Sequence, residues 1–385
     1  MMMDVLCIVR LFNRAVENLL YFDYLDRLNN IQSETRKADK YRMVVFIVFP
    51  LLLTKYALQS FYYLISSRKQ NQISDIVFIG TSPALKRVAT QANLLYTECM
   101  WFPIPFETIE GIEHNKQYNP FSFCSGGDIF RSLLASLIVY YSLVFKRGIR
   151  VGVKALDCYK QILLFSMLSR FRHNTKFFFC NHKDIWAIII DNLPYGQKNL
   201  IQHGTEIVIN NNKIPEPILL FNEKNKIWTQ NVPVKLCSVD NIFAFSEVEA
   251  AAMQQALLDC SPKVTVVGYG LSLTELRENS NRKAVLIIGF YKDYWREEQS
   301  VLDVLQSLDI NVYLKNHPAI PQERYNDFKK LYRFDLINEP VFPVVDLVIS
   351  YRSTLALQYE SVGCKVLYYD EIDFSNFKDR VSELL

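Results

Sequence analysis

Short apolar runs alternate with longer helical segments along most of the chain, and this alternation predicts a parallel α/β fold. The first series opens at Asp75–Gly80, a β-type run that ends in a glycine turn before a helical stretch over 84–96. Further runs predict strands at Gly148–Val153, Lys176–Cys180 and Asn199–Gln202. Helical segments cover 129–146, 154–171 and 183–192. Such apolar strands are typical of a sheet covered on both faces.

A second series follows a segment, 214–233, that is rich in Pro, Asn and Lys and lacks periodicity. Its predicted strands are Asn241–Phe245, Lys263–Val267, Ala284–Gly289, Asn311–Leu314, Leu347–Ser350 and Lys365–Tyr369. Its predicted helices are Ser246–Leu258, Glu297–Leu308 and Thr354–Val362. The chain is therefore expected to form two Rossmann-like domains, 74–235 and 236–385, that face a cleft.

Residues 1–73 predict a helical N-terminal extension. Its apolar run Met43–Ile65 is interrupted by Pro50 and Lys55, and a second apolar run, Ser132–Phe145, is too short to cross about 30 Å of hydrocarbon. Neither run supports a transmembrane span. Basic residues flank both runs, so two interpretations stay open: core helices of a large domain, or helices in peripheral contact with an anionic membrane surface.

Composition excludes several classes of protein. Half of the 385 residues are apolar and 22% are charged, which excludes wholesale disorder. Because 43 Lys and Arg face 40 Asp and Glu, the net charge is only +3, and no nucleic-acid partner is expected. The eight cysteines are scattered without a CxxC pair, which favours reduced thiols in a cytoplasmic protein over disulfides.

Two histidines directly follow predicted strands. His203 stands in Gln-His-Gly-Thr-Glu, where Gly204 allows close backbone approach and Thr205 and Glu206 add polar groups. A histidine at the carboxyl end of a strand can accept a hydroxyl proton near neutral pH, which makes His203 a candidate catalytic base on the acceptor side. The alternative is a histidine that only hydrogen-bonds its loop.

The second histidine, His317, lies in Lys-Asn-His-Pro after the strand 311–314. Lys315 and His317 alternate along an extended segment, so both are expected to point at one anion, such as a departing phosphate. The alternative is a surface lysine and a histidine that caps a turn.

A hydroxyl-rich turn leads from the strand Leu347–Ser350 into a helix that starts near Ser353 and Thr354. The free N–H groups of a helix start, with two hydroxyls beside them, can bind phosphate, although a hydroxyl-capped helix is common. No GxxxxGK[ST] loop, HExxH, GxSxG or full GxGxxG occurs. No metal or other cofactor is expected.

The order His-Gly-Thr, Lys-x-His-Pro and Ser-Thr resembles bacterial surface-polysaccharide transferases of the two-Rossmann GT-B fold, over about residues 195–370. Their relatives include capsule and lipopolysaccharide transferases that use CMP-activated sialic acid or Kdo, and the CDP-glycerol-type polyol-phosphate transferases. The resemblance implies that His203 is catalytic, that His317 assists the leaving group, and that Ser353 and Thr354 contact phosphate.

Two positions depart from the pattern. Many GT-B enzymes bind ribose through an acidic residue where this chain has Gln358, and Glu360 lies two residues further on. The acidic motif of the CMP-sialic acid branches is not evident.

The resemblance implies a metal-independent glycosyltransferase that moves a sugar, with a CMP-sugar favoured, from a nucleotide donor to a hydroxyl of a glycan or lipid-linked acceptor. Alternatives are a CDP-glycerol or CDP-ribitol phosphotransferase, a sugar-nucleotide epimerase, and a non-enzymatic scaffold of a glycan assembly complex. The expected location is the cytoplasm, with peripheral contact at the inner face of the membrane.

Overall fold

The computed structural model describes most of the chain from residue 42 onward. The described residues are 42–67, 75–80, 85–86, 89–90, 99–103, 105, 112, 117–147, 155–180, 185–202, 204, 207–208, 219–222, 227–230, 232–276, 282–289, 295–316, 322–337, 341–351, 353–369, 372 and 374–385. The chain divides into two compact units, unit 1 (Met1–Gly268) and unit 2 (Tyr269–Leu385).

Unit 1 is built on a six-stranded parallel sheet. In chain order the strands of the unit are β1 (Ile76–Ile79), β2 (Met100–Phe102), β3 (Lys176–Phe179), β4 (Gln197–Ile201), β5 (Ile207–Val208), β6 (Leu219–Asn222), β7 (Ile227–Gln230), β8 (Asn241–Ala244) and β9 (Lys263–Val266). The main sheet has the order β2-β1-β3-β4-β8-β9. Its central strands are apolar on both faces because helices cover both, as in Lys176–Phe179, where all three phenylalanines are buried.

Strand β4 begins after a glycine that no other residue can replace without strain. Gly196 has φ +86°, and a Cβ there would lie 2.4 Å from the ring of Phe177. The turn therefore packs directly under the neighbouring strand β3.

Among its described residues, unit 1 has the helices α1 (Arg42–Ser66), α2 (Gly126–Arg147), α3 (Ala155–Leu168), α4 (Ile185–Asp191) and α5 (Glu247–Leu257). The first three pack on one another: the ring of Phe49 stacks on Tyr140 with centroids 3.9 Å apart, and the Tyr159 hydroxyl donates to Ser60 Oγ at 2.7 Å. Helix α1, predicted as part of an extension, thus belongs to the core of unit 1.

One helix in the described part of the chain, Gly126–Phe145, is long and apolar enough to cross a membrane by length and composition. Of its most apolar stretch, 44% is buried against the rest of the unit. A core helix passes the same test of length and hydropathy, so the helix alone does not indicate a span.

The segment expected to be irregular, 214–233, contains regular structure. Strands β6 and β7 lie within it, and with β5, which precedes it, they form a small antiparallel sheet in the order β5-β7-β6. The sequence pattern missed it because β5 is only two residues long and β6 and β7 lie among Pro, Asn and Lys. The strand predicted at Gly148–Val153 and most of the helix predicted over 84–96 lie outside the described residues.

Unit 2 is a five-stranded parallel sheet. Its strands are β10 (Ala284–Ile288), β11 (Asn311–Lys315), β12 (Asp335–Ile337), β13 (Leu347–Ser350) and β14 (Lys365–Tyr368), in the order β12-β11-β10-β13-β14. Its helices are α6 (Trp295–Leu305), α7 (Asn326–Leu331), α8 (Thr354–Ser361) and α9 (Phe377–Leu384). Numbered within the unit, the strand order is 3-2-1-4-5, which is the order of the first five strands of the six-stranded Rossmann sheet. The predicted fold class, α/β with two Rossmann-like units in succession as in the GT-B fold, is confirmed.

The division between the units falls after Gly268, not after residue 235 as predicted. Strands β8 and β9, which the sequence analysis assigns to the second series, join the first sheet beside β4, where Asn199 pairs with Asn241. The error has a physical cause: an apolar strand has the same pattern in either sheet, and only long-range pairing decides which sheet it joins.

Candidate functional site

The carboxyl ends of three strands in unit 2 meet at one edge. Ile288 of β10 pairs with Lys315 of β11 on one side and with Ser350 of β13 on the other. The pairing continues one residue beyond β10, where the N–H of Gly289 donates to the Lys315 carbonyl at 2.9 Å. The strand order reverses between β10 and β13, and open α/β sheets bind ligands at the carboxyl ends of such a switch point. The motifs around Lys315 and Ser353 therefore come together at the same edge of unit 2.

Helix α8 begins at this edge with a hydroxyl cap. Ser353, extended at φ −119° and ψ 159°, accepts the N–H of Ala356 on its Oγ at 3.1 Å. Its hydroxyl is buried and used for capping, whereas Thr354, the first helical residue, is half-exposed. The anion-binding potential of this helix start therefore comes from its N–H groups and from Thr354 more than from the Ser353 hydroxyl.

The side chain of Lys315 is too deeply buried to contact a bound anion directly. It is 2% exposed, its Nζ donates to the Val341 carbonyl at 3.0 Å, and the ammonium lies 4.7 Å from the centre of the Phe342 ring. The sequence analysis expected Lys315 and His317 to point at one anion. In the structure the Lys315 ammonium is buried between the Val341 carbonyl and the Phe342 ring. His317 lies outside the described residues.

Gln358 is enclosed, and its amide is already engaged. It is 1% exposed, and its Nε2 donates to the Tyr269 carbonyl at 2.7 Å, so it fastens the first residues of unit 2 onto α8. Glu360, the other acidic or amide candidate, is exposed on the same helix. The two side chains thus differ in burial. Gln358 has a structural role, because its amide joins α8 to the backbone of Tyr269.

A buried carboxylate that the sequence analysis missed lies beside the edge. Glu298 of α6 is buried, and the Tyr325 hydroxyl donates to its Oε2 at 3.3 Å. Burial, together with the charge of Glu298, raises the pKa of Tyr351 to about 12 and the pKa of Tyr369 well above its ordinary value. The phenols around Glu298 therefore remain neutral at physiological pH.

The sequence did carry a signal for this residue. Glu298 stands three, four and seven residues before the buried Val301, Leu302 and Leu305, on the apolar face of α6. An acidic residue at a core position of an amphipathic helix indicates a buried partner.

In unit 1, the carboxyl end of β4 carries a closed hydrogen-bond network. Gln202 is buried, and its Oε1 accepts the N–H of Phe245 at 2.8 Å. Its Nε2 donates to Glu249 Oε2 and to the Gly204 carbonyl, both at 2.8 Å. Glu249 is fully buried and donates its own N–H to Ser246, which caps helix α5. Gln202 thereby fastens the turn after β4 to the start of α5.

Two residues of this network flank the candidate base in the sequence. His203 stands between Gln202 and Gly204, the two residues that the amide of Gln202 joins. His203, Thr205 and Glu206 themselves lie outside the described residues. Sequence analysis singled out this turn but missed Glu249, although Ser246 followed three residues later by Glu249 is a capping-box pattern.

Within the described residues, no group of three or more His, Cys, Asp or Glu side chains is close enough to hold a metal ion. The seven cysteines among them are free thiols, and most are buried or half-buried.

No protein-family model matches the chain. No curated protein matches its sequence. Among solved structures, the wall teichoic acid polymerase TagF soaked with CDPG is similar over 90% of this chain and 88% of its own, with 11% identity and a TM-score of 0.44. The lipopolysaccharide outer core galactosyltransferase WaaB is similar over 80% and 89%, with 9% identity and a TM-score of 0.39. MurG of Acinetobacter baumannii is similar over 80% and 90%, with 10% identity and a TM-score of 0.37.

Proposed function

We propose that the chain is a glycosyltransferase that moves a sugar from a nucleotide-activated donor to a hydroxyl of a bacterial surface glycan. The observation that carries the proposal is the switch point of unit 2. Its strand order brings the Lys315 end of β11 and the start of α8 to the edge where such sheets bind ligands. Two motifs that resemble those of surface-polysaccharide transferases are therefore neighbours in space as well as in order.

Unit 2 would bind the donor. The N–H groups at the start of α8 and the half-exposed hydroxyl of Thr354 would bind the nucleotide phosphate, and His317 would donate to it. Lys315, held by the Val341 carbonyl, would contribute its positive charge to the edge without a direct contact. These groups stabilise the negative charge that develops when the nucleotide departs.

Unit 1 would supply the acceptor side. His203 would take the proton of the acceptor hydroxyl while the acceptor oxygen bonds to the anomeric carbon and the bond from that carbon to the phosphate oxygen breaks. Gln202 and Glu249 would hold the turn of His203 by the contacts described above. Gly204, Thr205 and Glu206 would border the acceptor, which is a glycan or a lipid-linked glycan at the cytoplasmic face of the membrane.

A second candidate uses the same groups for phosphate transfer. The His-Gly-Thr sequence at His203 resembles the polyol-phosphate branch of these enzymes. In that reaction the acceptor oxygen attacks the polyol phosphate of a CDP-activated glycerol or ribitol, and CMP leaves. The products separate the two candidates: sugar transfer leaves a glycosidic bond without phosphorus, and polyol transfer leaves a phosphodiester that phosphorus NMR detects.

Thermal unfolding with CMP, CDP, UDP and GDP tests the donor site. We propose CMP as the preferred nucleotide, and we expect it to raise the midpoint because a ligand bound only by the folded state stabilises it. Thr354→Val should remove this response, whereas Ser361→Ala, at the other end of α8, should keep it. If none of the four nucleotides shifts the midpoint, the proposal of a transferase is wrong, and the non-enzymatic scaffold is favoured instead. A response that survives Thr354→Val would move the donor site elsewhere.

A further inference from the structure

Helix α1 presents an apolar stripe to solvent. Leu51, Leu58, Tyr62 and Ile65 recur at helical spacing on the side opposite the buried Leu53 and Ala57. Tyr62 is 69% exposed and Ile65 is 84% exposed. Side chains of this size on a water-facing helix indicate a surface that something else covers.

Helix α2 presents a second stripe of the same kind. Its exposed large residues follow one another by four, four, three and four positions and so lie on one face: Phe130, Leu134, Ile138, Tyr141 and Phe145. Phe145, near the end of the helix, is 83% exposed. No charged residue interrupts this stripe.

The two helices that carry these stripes pack against each other. Helices α1 and α2 pack antiparallel, because Phe49 stacks on Tyr140 while Phe61, later in α1, lies 3.5 Å from the Cβ position of Gly126, at the start of α2. The inward faces of both helices are buried in the core of unit 1. The hydrogen bond from the Tyr159 hydroxyl to Ser60 of α1 is one of the contacts that hold them there. We call the exposed stripes of these two packed helices, taken together, the apolar face.

Within α1 and α2, the charged residues outside the core are all basic. Helix α1 contains Arg42 and Lys55 and no acidic residue, and Lys55 is exposed within its stripe. The single acidic residue of α2, Asp128, is buried and forms an ion pair with Arg170. Phe49 lies seven residues after Arg42, and Tyr140 lies seven before Arg147, so the antiparallel register brings Arg42 to the end of the pair where Lys146 and Arg147 stand.

We propose that the apolar face docks on an anionic phospholipid surface, with its two stripes inserted to shallow depth and its basic end at the lipid phosphates. Exposed apolar side chains with basic residues on the same two helices complement a bilayer interface, which offers hydrocarbon beneath negative charge. The buried inward faces exclude insertion of either helix across the membrane without disrupting unit 1. This docking requires no catalytic activity and stands independently of the proposed function.

Sedimentation of the full-length chain with lipid vesicles tests the proposal. We expect binding to phosphatidylcholine vesicles that contain about one-third phosphatidylglycerol, and weaker binding to phosphatidylcholine alone. The paired substitution Ile65→Gln and Phe145→Gln should weaken binding roughly tenfold or more, because two large apolar groups no longer enter the interface. Lys55→Gln should weaken it about fivefold.

Two variants in unit 2 serve as controls. Leu331→Gln removes a leucine that is 69% exposed on α7, and Lys329→Gln removes an exposed lysine from the same helix. Both should bind vesicles like the wild type. Circular dichroism should confirm that every variant is folded.

Several results would overturn the proposal. A folded wild type that binds no vesicles would mean that another part of the chain covers the face. Equal losses in the α7 controls would make the effect nonspecific. A concentration-dependent dimer that the Ile65 and Phe145 substitutions dissociate, with vesicle binding unchanged, would assign the face to a second copy of the chain.

Discussion

The amide of Gln202 and the carboxylate of Glu249 meet at 2.8 Å in the interior of unit 1, although 46 residues separate them in the chain. The same amide group donates to the Gly204 carbonyl and so spans the position of His203. A buried polar network with its partners in place holds one geometry, because any other leaves polar groups unpaired at a cost of about 1–3 kcal/mol each.

We therefore expect Gln202→Ala to lower the free energy of unfolding by about 1–3 kcal/mol, measured by urea denaturation. Under the proposed function it should also lower turnover while the nucleotide midpoint shift persists, because the donor groups lie in unit 2. Glu247→Gln, an exposed change on the same helix turn, supplies the control and should alter neither quantity. Unchanged turnover in folded Gln202→Ala would show that the network has only a structural role.

The two candidate histidines should differ in what they impair. His203→Ala should reduce turnover by about 10²–10⁴, the usual contribution of general-base assistance, with nucleotide affinity nearly intact. His317→Ala should weaken nucleotide binding by roughly 1.5–3 kcal/mol, the contribution of a charge-assisted donor. Titration calorimetry and a transfer assay on both variants check this. The reverse outcome would exchange the roles of the two units.

Gly289 has no room for a side chain at the end of β10. A Cβ there would lie 2.3 Å from the Tyr325 hydroxyl, so Gly289→Ala should destabilise the chain by about 1–3 kcal/mol through overpacking. Removing that hydroxyl in Tyr325→Phe should offset part of the loss in the double variant. A double-mutant cycle by urea denaturation measures the coupling, and strictly additive effects would contradict the proposed clash.

Stability should fall at alkaline pH through Tyr351. Its pKa is raised from 10.0 to about 12 by burial and by the Glu298 carboxylate, so the folded chain retains this proton to higher pH than the unfolded chain. The stabilisation is complete below about pH 10 and is lost as the pH rises toward 12, at about 1.4 kcal/mol per pH unit. Between pH 10 and 12, the free energy of unfolding from urea denaturation should fall less steeply with pH for Tyr351→Phe than for the wild type. Tyr62→Phe, on the exposed face of α1, should follow the wild type.

The local pattern of apolar and polar residues was enough to predict most of the strands and helices. Runs such as Lys176–Phe179 and Ala284–Ile288 are apolar and short, and a chain of this kind buries them as parallel strands. The same local reasoning singled out the turns after β4, β11 and β13, because a ligand edge in an α/β sheet follows directly from where strands end. It also identified the two apolar helices with their basic flanks, which the structure places together on unit 1.

The amino-acid sequence by itself thus determined the α/β class, the position of most strands and helices, and the turns that carry the candidate chemistry, since each depends on neighbours within about ten residues. Only the tertiary structure decided that β8 and β9 complete the first sheet, that Lys315 reaches the Val341 carbonyl, and that Gln358 clamps Tyr269. These features depend on contacts between residues far apart in the chain. The physical reason is that the residues near a side chain in the sequence indicate only whether it is buried. Its contact partners depend on which distant strands pair and which chain segments meet at the same edge of a sheet.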